Sequence, residues 1–358
     1  MESDRARKEE IEKFDRTKVG VKGLVDSGIT KLPRLFQTSE SVSEDNDSSN
    51  VQIPVIDFQG VDLGGSRRLE IVDEIRRASE NWGFFQIVNH GIPGAVMDAI
   101  LESTRRFHEQ PKEAKMDLYS SDVKRVIRFY SMNRNHERLY VLGWRDCFAC
   151  VFSDGVVNPE VIPHVCRDGI VEYVKHMKDI GETLSGLLSE ALGLRQDTLS
   201  QMQYMNSLYI SCLYYPACPE PDKTFGATKH TDPTTLTILV QDATGGLQIH
   251  HEGRWTDVPP IPGALIVNVG DFLQLITNDK FKSVEHRVLA RAEGTRLSAG
   301  CFFYPSSEQI AGREHGPIGE LVLDDSPPVY RAVDYIEFTT NYHKFARTEH
   351  SPLSNLRL

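Results

Sequence analysis

The sequence predicts a mainly β fold with helices: a double-sheeted jelly roll flanked by the helices of an N-terminal α/β region. Three observations carry this. From about Leu208 onward, short β-type runs follow one another, separated by glycine, proline and asparagine turns. Before that point, two stretches place apolar residues at helical spacing. The length, 358 residues, would hold two average domains, yet β sandwiches and barrels of roughly 200–250 residues often form single units.

In chain order, Gly20 to Ile29 is apolar enough to dock on the body of the protein as a short helix ended by Gly28. Thr38 to Asn50 holds one apolar residue among acids and hydroxyls, cannot repay its ordering entropy, and reads as a mobile loop. Pro54 to Phe58 is the first strand. Leu69, Val72, Ile75 and Ala78 recur at three-residue steps and mark an amphipathic helix closing before Gly83, and Trp82 to Asn89 follows as an aromatic strand. A second helix has Ile170, Val174, Met177, Ile180, Leu184, Leu187, Leu188 and Ala191 on one face and Gly193 just past its end.

The jelly-roll runs are Leu236 to Val240, Leu247 to His250, Trp255 to Val258, Leu265 to Val269, Val284 to Leu289 and Leu297 to Tyr304. The expected division is an N-terminal extension with an acidic mobile loop (1–50), a mixed α/β region (51–205), the jelly-roll core (206–310) and a C-terminal helical tail (311–358). No internal repeat interrupts it.

A formal net charge of −11 without a dense Lys/Arg cluster disfavours nucleic acid as a partner. The charged N-terminus lacks the apolar stretch of a secretory signal, and no later run approaches a membrane span. The expectation is a cytoplasmic monomer acting on a small molecule, with no membrane partner. Six irregularly spaced cysteines are then reduced and mostly small core residues. Cys147 and Cys150 have redox-pair or zinc-pair spacing, but lack further ligands and a βαβ context.

The chemistry concentrates in His230-Thr231-Asp232, His286 and Arg296-Leu297-Ser298. Side chains at i and i+2 of a strand share a face, so His230 and Asp232 reach one ion while Thr231 points away, and His286 returns on a later strand. Two imidazoles and one carboxylate make the facial triad of non-haem Fe(II), which leaves coordination positions open. His-x-Asp alone also occurs by chance, as His250-His251-Glu252 beside Gly253 illustrates: its composition suits a metal, but it sits in a hairpin turn. Arg296 and Ser298 again share a strand face and suit a carboxylate, because the guanidinium fork pairs bidentately and stays charged. The bland alternative is a surface ion pair with Glu293.

Taken in order, these residues resemble the plant 2-oxoglutarate- and Fe(II)-dependent dioxygenases (iron/ascorbate-dependent oxidoreductases), within them the subgroup of aminocyclopropane-carboxylate oxidase homologues and specialised-metabolite hydroxylases. Similar blocks run along nearly the whole chain: Pro54 to Phe58, Trp82 to Gly91, Tyr214 to Pro221, Gly245 to Gln248, Pro262 to Asp271 and Lys282 to Val288. The resemblance implies a double-stranded β-helix, cupin-like core. It implies that His230, Asp232 and His286 hold Fe(II), that Arg296 and Ser298 bind the distal carboxylate of 2-oxoglutarate, and that Tyr215 supports it. The family pattern Asn-Tyr-Tyr-Pro is here Leu213-Tyr214-Tyr215-Pro216, so one amide donor is missing.

The implied reaction consumes O2 and 2-oxoglutarate, releases succinate and CO2, and hydroxylates, desaturates, cyclises or O-demethylates a specialised metabolite, with ascorbate as reductant. The substrate would be small to medium and apolar, aromatic or alkaloid-like. Phe302, Phe129, Phe148 and Arg145 are candidate pocket residues, with Tyr130 beside them; for each aromatic the alternative is core packing, and for Arg145 an ion pair with Asp146. Two further readings stand beside the first. One is an ascorbate-using oxidase of the aminocyclopropane-carboxylate type, against which the long N-terminal extension argues. The other is a non-catalytic small-molecule receptor, for which an open iron site would have no use.

Overall fold

Two sheets, whose central strands are buried on consecutive residues and so on both faces, organise this computed structural model, which describes residues 2–40, 42, 52–131, 142–345 and 351–358. Most of the expected acidic loop, residues 43–50, lies outside the described residues. The large sheet holds β1 (Val55–Asp57), β2 (Phe84–Val88), β3 (Ile127–Tyr130), β4 (Asp146–Phe152), β5 (Ser207–Tyr215), β7 (Leu236–Gln241), β10 (Leu265–Val269) and β12 (Arg296–Tyr304). Its order is β1-β2-β10-β7-β12-β5-β4-β3, so four strands from beyond position 206 form the centre of one sheet and two earlier strands flank them on each side. The small sheet runs β6-β11-β8-β9, formed by β6 (Phe225–His230), β8 (Leu247–His251), β9 (Arg254–Asp257) and β11 (His286–Leu289). The 311–358 segment holds a two-strand ladder, β13 (Glu314–His315) with β14 (Val333–Asp334), before the helix Tyr335–Phe345.

β12 shows how the sheet sorts its residues. Ala299, Cys301 and Phe303 are fully buried on the outer face, under the helix Arg167–Ala191. The fit is close enough that a Cβ on Gly181 of that helix would lie 2.6 Å from the Phe303 ring, and Tyr173 Oη donates to Ala299 O. Arg296, Ser298, Phe302 and Tyr304 alternate onto the inner face, where Phe302 and Tyr304 are only half-buried. The sheet thus has a dry side that carries the core and a recessed side.

All eight residues expected on one face of the second helix are buried, and Gly193 takes φ +76° just past its end. The first helix, Gly65–Asn81, differs in one residue: Leu69 is 68% exposed, and Ile71 is buried instead. Steps of three residues lose about 60° per step at 100° per residue, so Leu69 ends on the side opposite Ala78. At the N-terminus, a helix over Glu2–Thr17 places Phe14 against Phe36, which in turn packs on Trp144. The expected docked helix is Gly20–Asp26, with Gly28 at φ +78°. Asp146 holds its first turn by accepting from the Val21 and Lys22 amides at 2.7 and 2.9 Å.

All six cysteines are free and buried. Cys147 and Cys150 lie three residues apart on β4 and therefore face opposite sides of the sheet, which removes the redox-pair reading. Among the described residues no helix is long and apolar enough to cross a membrane.

Candidate metal centre and carboxylate cradle

His230 ends β6 and pairs directly across the ladder with His286, the first residue of β11, so the two imidazoles meet at one end of the small sheet with ring centroids 4.3 Å apart. Asp232 lies just beyond the strand. The Asp271 amide fixes its backbone by donating to Asp232 O at 2.7 Å, and Thr231 turns away to donate to Asp271 Oδ2. The carboxylate is buried and oriented: Oδ2 accepts from Thr237 Oγ1 at 2.8 Å and Asn268 Nδ2 at 2.9 Å. Oδ1 is left facing His230 Nε2 at 3.8 Å and His286 Nε2 at 3.6 Å.

Each imidazole is also set from behind. Nδ1 of His230 lies 2.7 Å from Thr228 O and Nδ1 of His286 lies 3.2 Å from Val284 O; a carbonyl can only accept, so each Nδ1 carries the proton and each Nε2 presents a lone pair. Burial, then the neighbouring His286, holds the His230 imidazolium well below its usual range, keeping the ring neutral. Burial works against the Asp232 carboxylate, but the imidazoles and the two hydrogen bonds outweigh it and keep the group ionised. Three ligand atoms within 4.8 Å of one another, with their protons directed away, form a site that a divalent cation would satisfy.

On the inner face of the large sheet, Arg296 is 3% exposed and Ser298 1%. The guanidinium donates to Gly245 O, Gln241 Oε1 and Ser298 Oγ at 2.8, 2.8 and 3.1 Å, and lies 4.9 Å from the centroid of the Tyr215 ring. It does not pair with Glu293. Nε2 of Gln241 is buried without a partner. A buried cation whose direct acceptors are all neutral, with the Asp242 carboxylate nearby but already held by the Leu297 amide, and an orphaned amide beside it fit a carboxylate ligand, which would accept from both. Leu213 pairs with Ser298 in the ladder, so the missing amide falls inside this cradle.

The pocket candidates divide by face. Phe302 lies inward, with the Tyr209 ring 5.7 Å away. Arg145 also lies inward, close enough to interact with Tyr215 and His230. Asp146 points to the other side of β4, so the Arg145–Asp146 pair does not form. Phe129 and Phe148 are corrected: both are fully buried on the outer face, where Phe107 stacks on Phe148 at 3.9 Å and meets Phe129 edge-on. Their place inward is taken by their neighbours on β3 and β4, Arg128, Tyr130 and Cys147. In the His250-His251-Glu252 turn, His251 stacks on Trp82 at 3.7 Å and belongs to no ligand cluster among the described residues.

Several residues escaped the sequence reading. Asn268 carried a signal, a lone amide in the apolar run Leu265 to Val269; Thr237 and Gln241 carried none. The helix Tyr335–Phe345 borders the metal site, with Tyr342 Oη donating to Thr231 O at 2.6 Å and Tyr335 Oη to Pro233 O at 3.4 Å.

A profile of the 2OG-Fe(II) oxygenase superfamily matches residues 201–305, and one described as non-haem dioxygenase in morphine synthesis N-terminal matches residues 53–163. The chain is 46% identical over 349 residues to 1-aminocyclopropane-1-carboxylate oxidase homolog 11 of Arabidopsis thaliana, covering 96% of each. The chain belongs to the 2OG-Fe(II) oxygenase superfamily. It is a 2-oxoglutarate-dependent dioxygenase, and the cofactors of this family are Fe(II) and 2-oxoglutarate, with O2. Deacetoxyvindoline 4-hydroxylase of Catharanthus roseus is 45% identical over 362 residues, 98% of this chain and 89% of that one. The crystal structure of JOX2 in complex with 2OG, Fe and JA superposes with a TM-score of 0.82 at 29% identity, covering 95% of this chain and 98% of that one. The oxygenase fold, a jelly-roll core with flanking helices, is shared with these relatives.

Proposed function

We propose that this oxygenase hydroxylates a small organic metabolite, with His230, Asp232 and His286 holding Fe(II) and Arg296, Ser298, Tyr215 and Gln241 holding the distal carboxylate of 2-oxoglutarate. When bound, the iron and 2-oxoglutarate supply the O2-derived oxidant, with succinate and CO2 as by-products. The observation that carries the reading is the pairing of two incomplete sites: a three-ligand cluster, and a buried Arg296 that among the described residues forms no ion pair with a carboxylate. Thr237 and Asn268 fix Asp232 so that only Oδ1 faces the ion. Gly245 O and Gln241 fix the guanidinium plane, so the ligand arrives at a preformed cradle rather than ordering one. The half-buried inner residues Phe302 and Tyr304, with the helix Tyr335–Phe345 beside the metal site, supply an apolar recess for the organic substrate. Hydroxylation is favoured among the possible outcomes by the 45% identical relative named as a 4-hydroxylase.

The test is Arg296→Leu. Losing a charge-assisted contact of about 1.5–3 kcal/mol should weaken 2-oxoglutarate binding about 10- to 100-fold, with Arg296→Lys intermediate. Binding is read anaerobically with Fe(II), and succinate formation with ascorbate and a metabolite extract searched for mass gains of one oxygen. Unchanged 2-oxoglutarate affinity would sink the cradle. Ethylene release from aminocyclopropane carboxylate without 2-oxoglutarate would replace the reading by the oxidase one, and a biological output surviving His230→Ala by the receptor one.

A further inference from the structure

Besides Arg296 and the half-buried Arg145, a further guanidinium is buried on the inner face, far from the cradle. Arg128 of β3 is 6% exposed. It pairs in register with Ala149 of β4, which pairs with Ser211 of β5, which pairs with Gly300 of β12. Arg128 therefore lies three strands, roughly 14 Å, across the sheet from Gly300, one inward position beyond Ser298. Nη2 donates to Tyr209 Oη at 3.3 Å. Among the described residues Nε and Nη1 are buried without a partner. The Tyr130 and Tyr209 rings flank it at 5.1 and 5.6 Å, and their hydroxyls meet at 2.7 Å.

Among the described residues no acid neutralises this group. None of the residues that β3, β4, β5, β7 and β12 turn inward is Asp or Glu, and among the described residues no carboxylate pairs with Arg128. Burying a cation without a counter-charge costs several kcal/mol that ring contacts offset only in part. The group also belongs to the catalytic recess: Tyr304 lies in the fields of both Asp232 and Arg128, and the Tyr209 ring touches Phe302. Burial pushes the Tyr209 hydroxyl up to about 12, so it remains a protonated donor.

We propose that Arg128, with Tyr130 and Tyr209, binds an anionic group of the organic substrate, so that the oxygenase acts on small organic acids held by their carboxylate at the end of the recess away from 2-oxoglutarate. This rests on the oxygenase reading above. Because the guanidinium nitrogens are shielded, the incoming carboxylate displaces the hydrogen bond between Tyr130 and Tyr209, and both hydroxyls turn to it.

The experiment titrates the full-length protein, loaded anaerobically with Fe(II) and saturating 2-oxoglutarate, with aryl-alkyl and alicyclic monocarboxylates, each paired with its methyl ester. Phenylacetate, 3-phenylpropionate, cinnamate and cyclohexylacetate serve as first probes. At least one acid is expected to bind tenfold or more tighter than its ester, in line with a charge-assisted contact. That preference should vanish in Arg128→Gln, survive in part in Arg128→Lys, and weaken in Tyr209→Phe, with circular dichroism confirming the fold. Absence of acid preference across the panel, or its persistence in Arg128→Gln, overturns the proposal.

A ligand-independent arm uses Arg128→Met. A residue kept for binding leaves the apoprotein's Tm unchanged or raised, whereas a structural role lowers it by about 5 °C or more and overturns the proposal. Acid preference without any succinate formation would retain the anion site and remove the oxygenase reading.

Discussion

Thr237→Val tests whether the metal centre is built by the large sheet. Thr237 Oγ1 supplies one of the two hydrogen bonds that hold Asp232 Oδ2, at 2.8 Å, and Asn268 supplies the other. Valine is close in volume and fits the β conformation, so the substitution removes the donor to Asp232 together with the acceptor that Thr237 Oγ1 offers the buried Thr234 hydroxyl at 3.1 Å. A hydrogen bond to a buried carboxylate contributes about 1.5–3 kcal/mol, which converts to about 10- to 100-fold in Fe(II) affinity if it acts by presenting Oδ1 to the ion. Anaerobic calorimetry with Fe(II), or Mn(II) binding followed by electron paramagnetic resonance, reads the change. Thr237→Ser, which restores the hydroxyl, should recover most of it. Because both donors act on one oxygen, combining Thr237→Val with Asn268→Leu should cost a different amount from the sum of the two. Affinity of Thr237→Val within twofold of the parent, or no recovery in the serine variant, would refute the idea that these donors orient the ligand.

Gly83 follows the helix Gly65–Asn81 at φ +63°, and a Cβ there would fall 2.1 Å from Lys282 O and 2.8 Å from Val284 Cγ2. Gly83→Ala is therefore expected to cost more than about 3 kcal/mol in chemical denaturation, and to weaken metal binding by displacing the Val284 carbonyl that sets His286; stability within about 1 kcal/mol of the parent would contradict this. His108 donates from Nε2 to Cys212 O at 3.0 Å, and burial, with Lys115 and Lys22 nearby, pushes its imidazolium down to about 3. The unfolded chain, near 6.5, binds more protons than the folded one between these values, so stability falls as pH drops through that window, by about 2 kcal/mol from this group at pH 5. His108→Gln keeps a donor and should flatten the slope of denaturation midpoint against pH relative to the parent; identical slopes would remove His108 as the cause.

The elements legible in the sequence are those whose signal is local. The helix Arg167–Ala191 showed its buried face because eight apolar positions recur at the helical period. Arg296 and Ser298 were legible as neighbours because period two fixes which residues of a strand share a face, whereas Asp232 meets His230 from just beyond β6, where its backbone carbonyl accepts from the Asp271 amide. The same rule could not say which face of β3 and β4 turns inward. Phe129 and Phe148 were as plausible as Arg128 and Tyr130 until pairing with β5 set the register, and a shift of one residue exchanges the two sets.

What the sequence alone determined is the inventory of chemistry: three candidate metal ligands, a guanidinium and hydroxyl at a spacing that suits a carboxylate, and Leu213 beside them. What the tertiary structure decided is how that inventory is aimed. Thr237 and Asn268 reach Asp232 from β7 and β10, Gln241 braces Arg296 from another strand, and the C-terminal helix settles beside the metal site. Those relations join residues from 5 to 111 positions apart. They follow from which strands pair and which faces dry out together, and a local pattern carries no record of its distant partner.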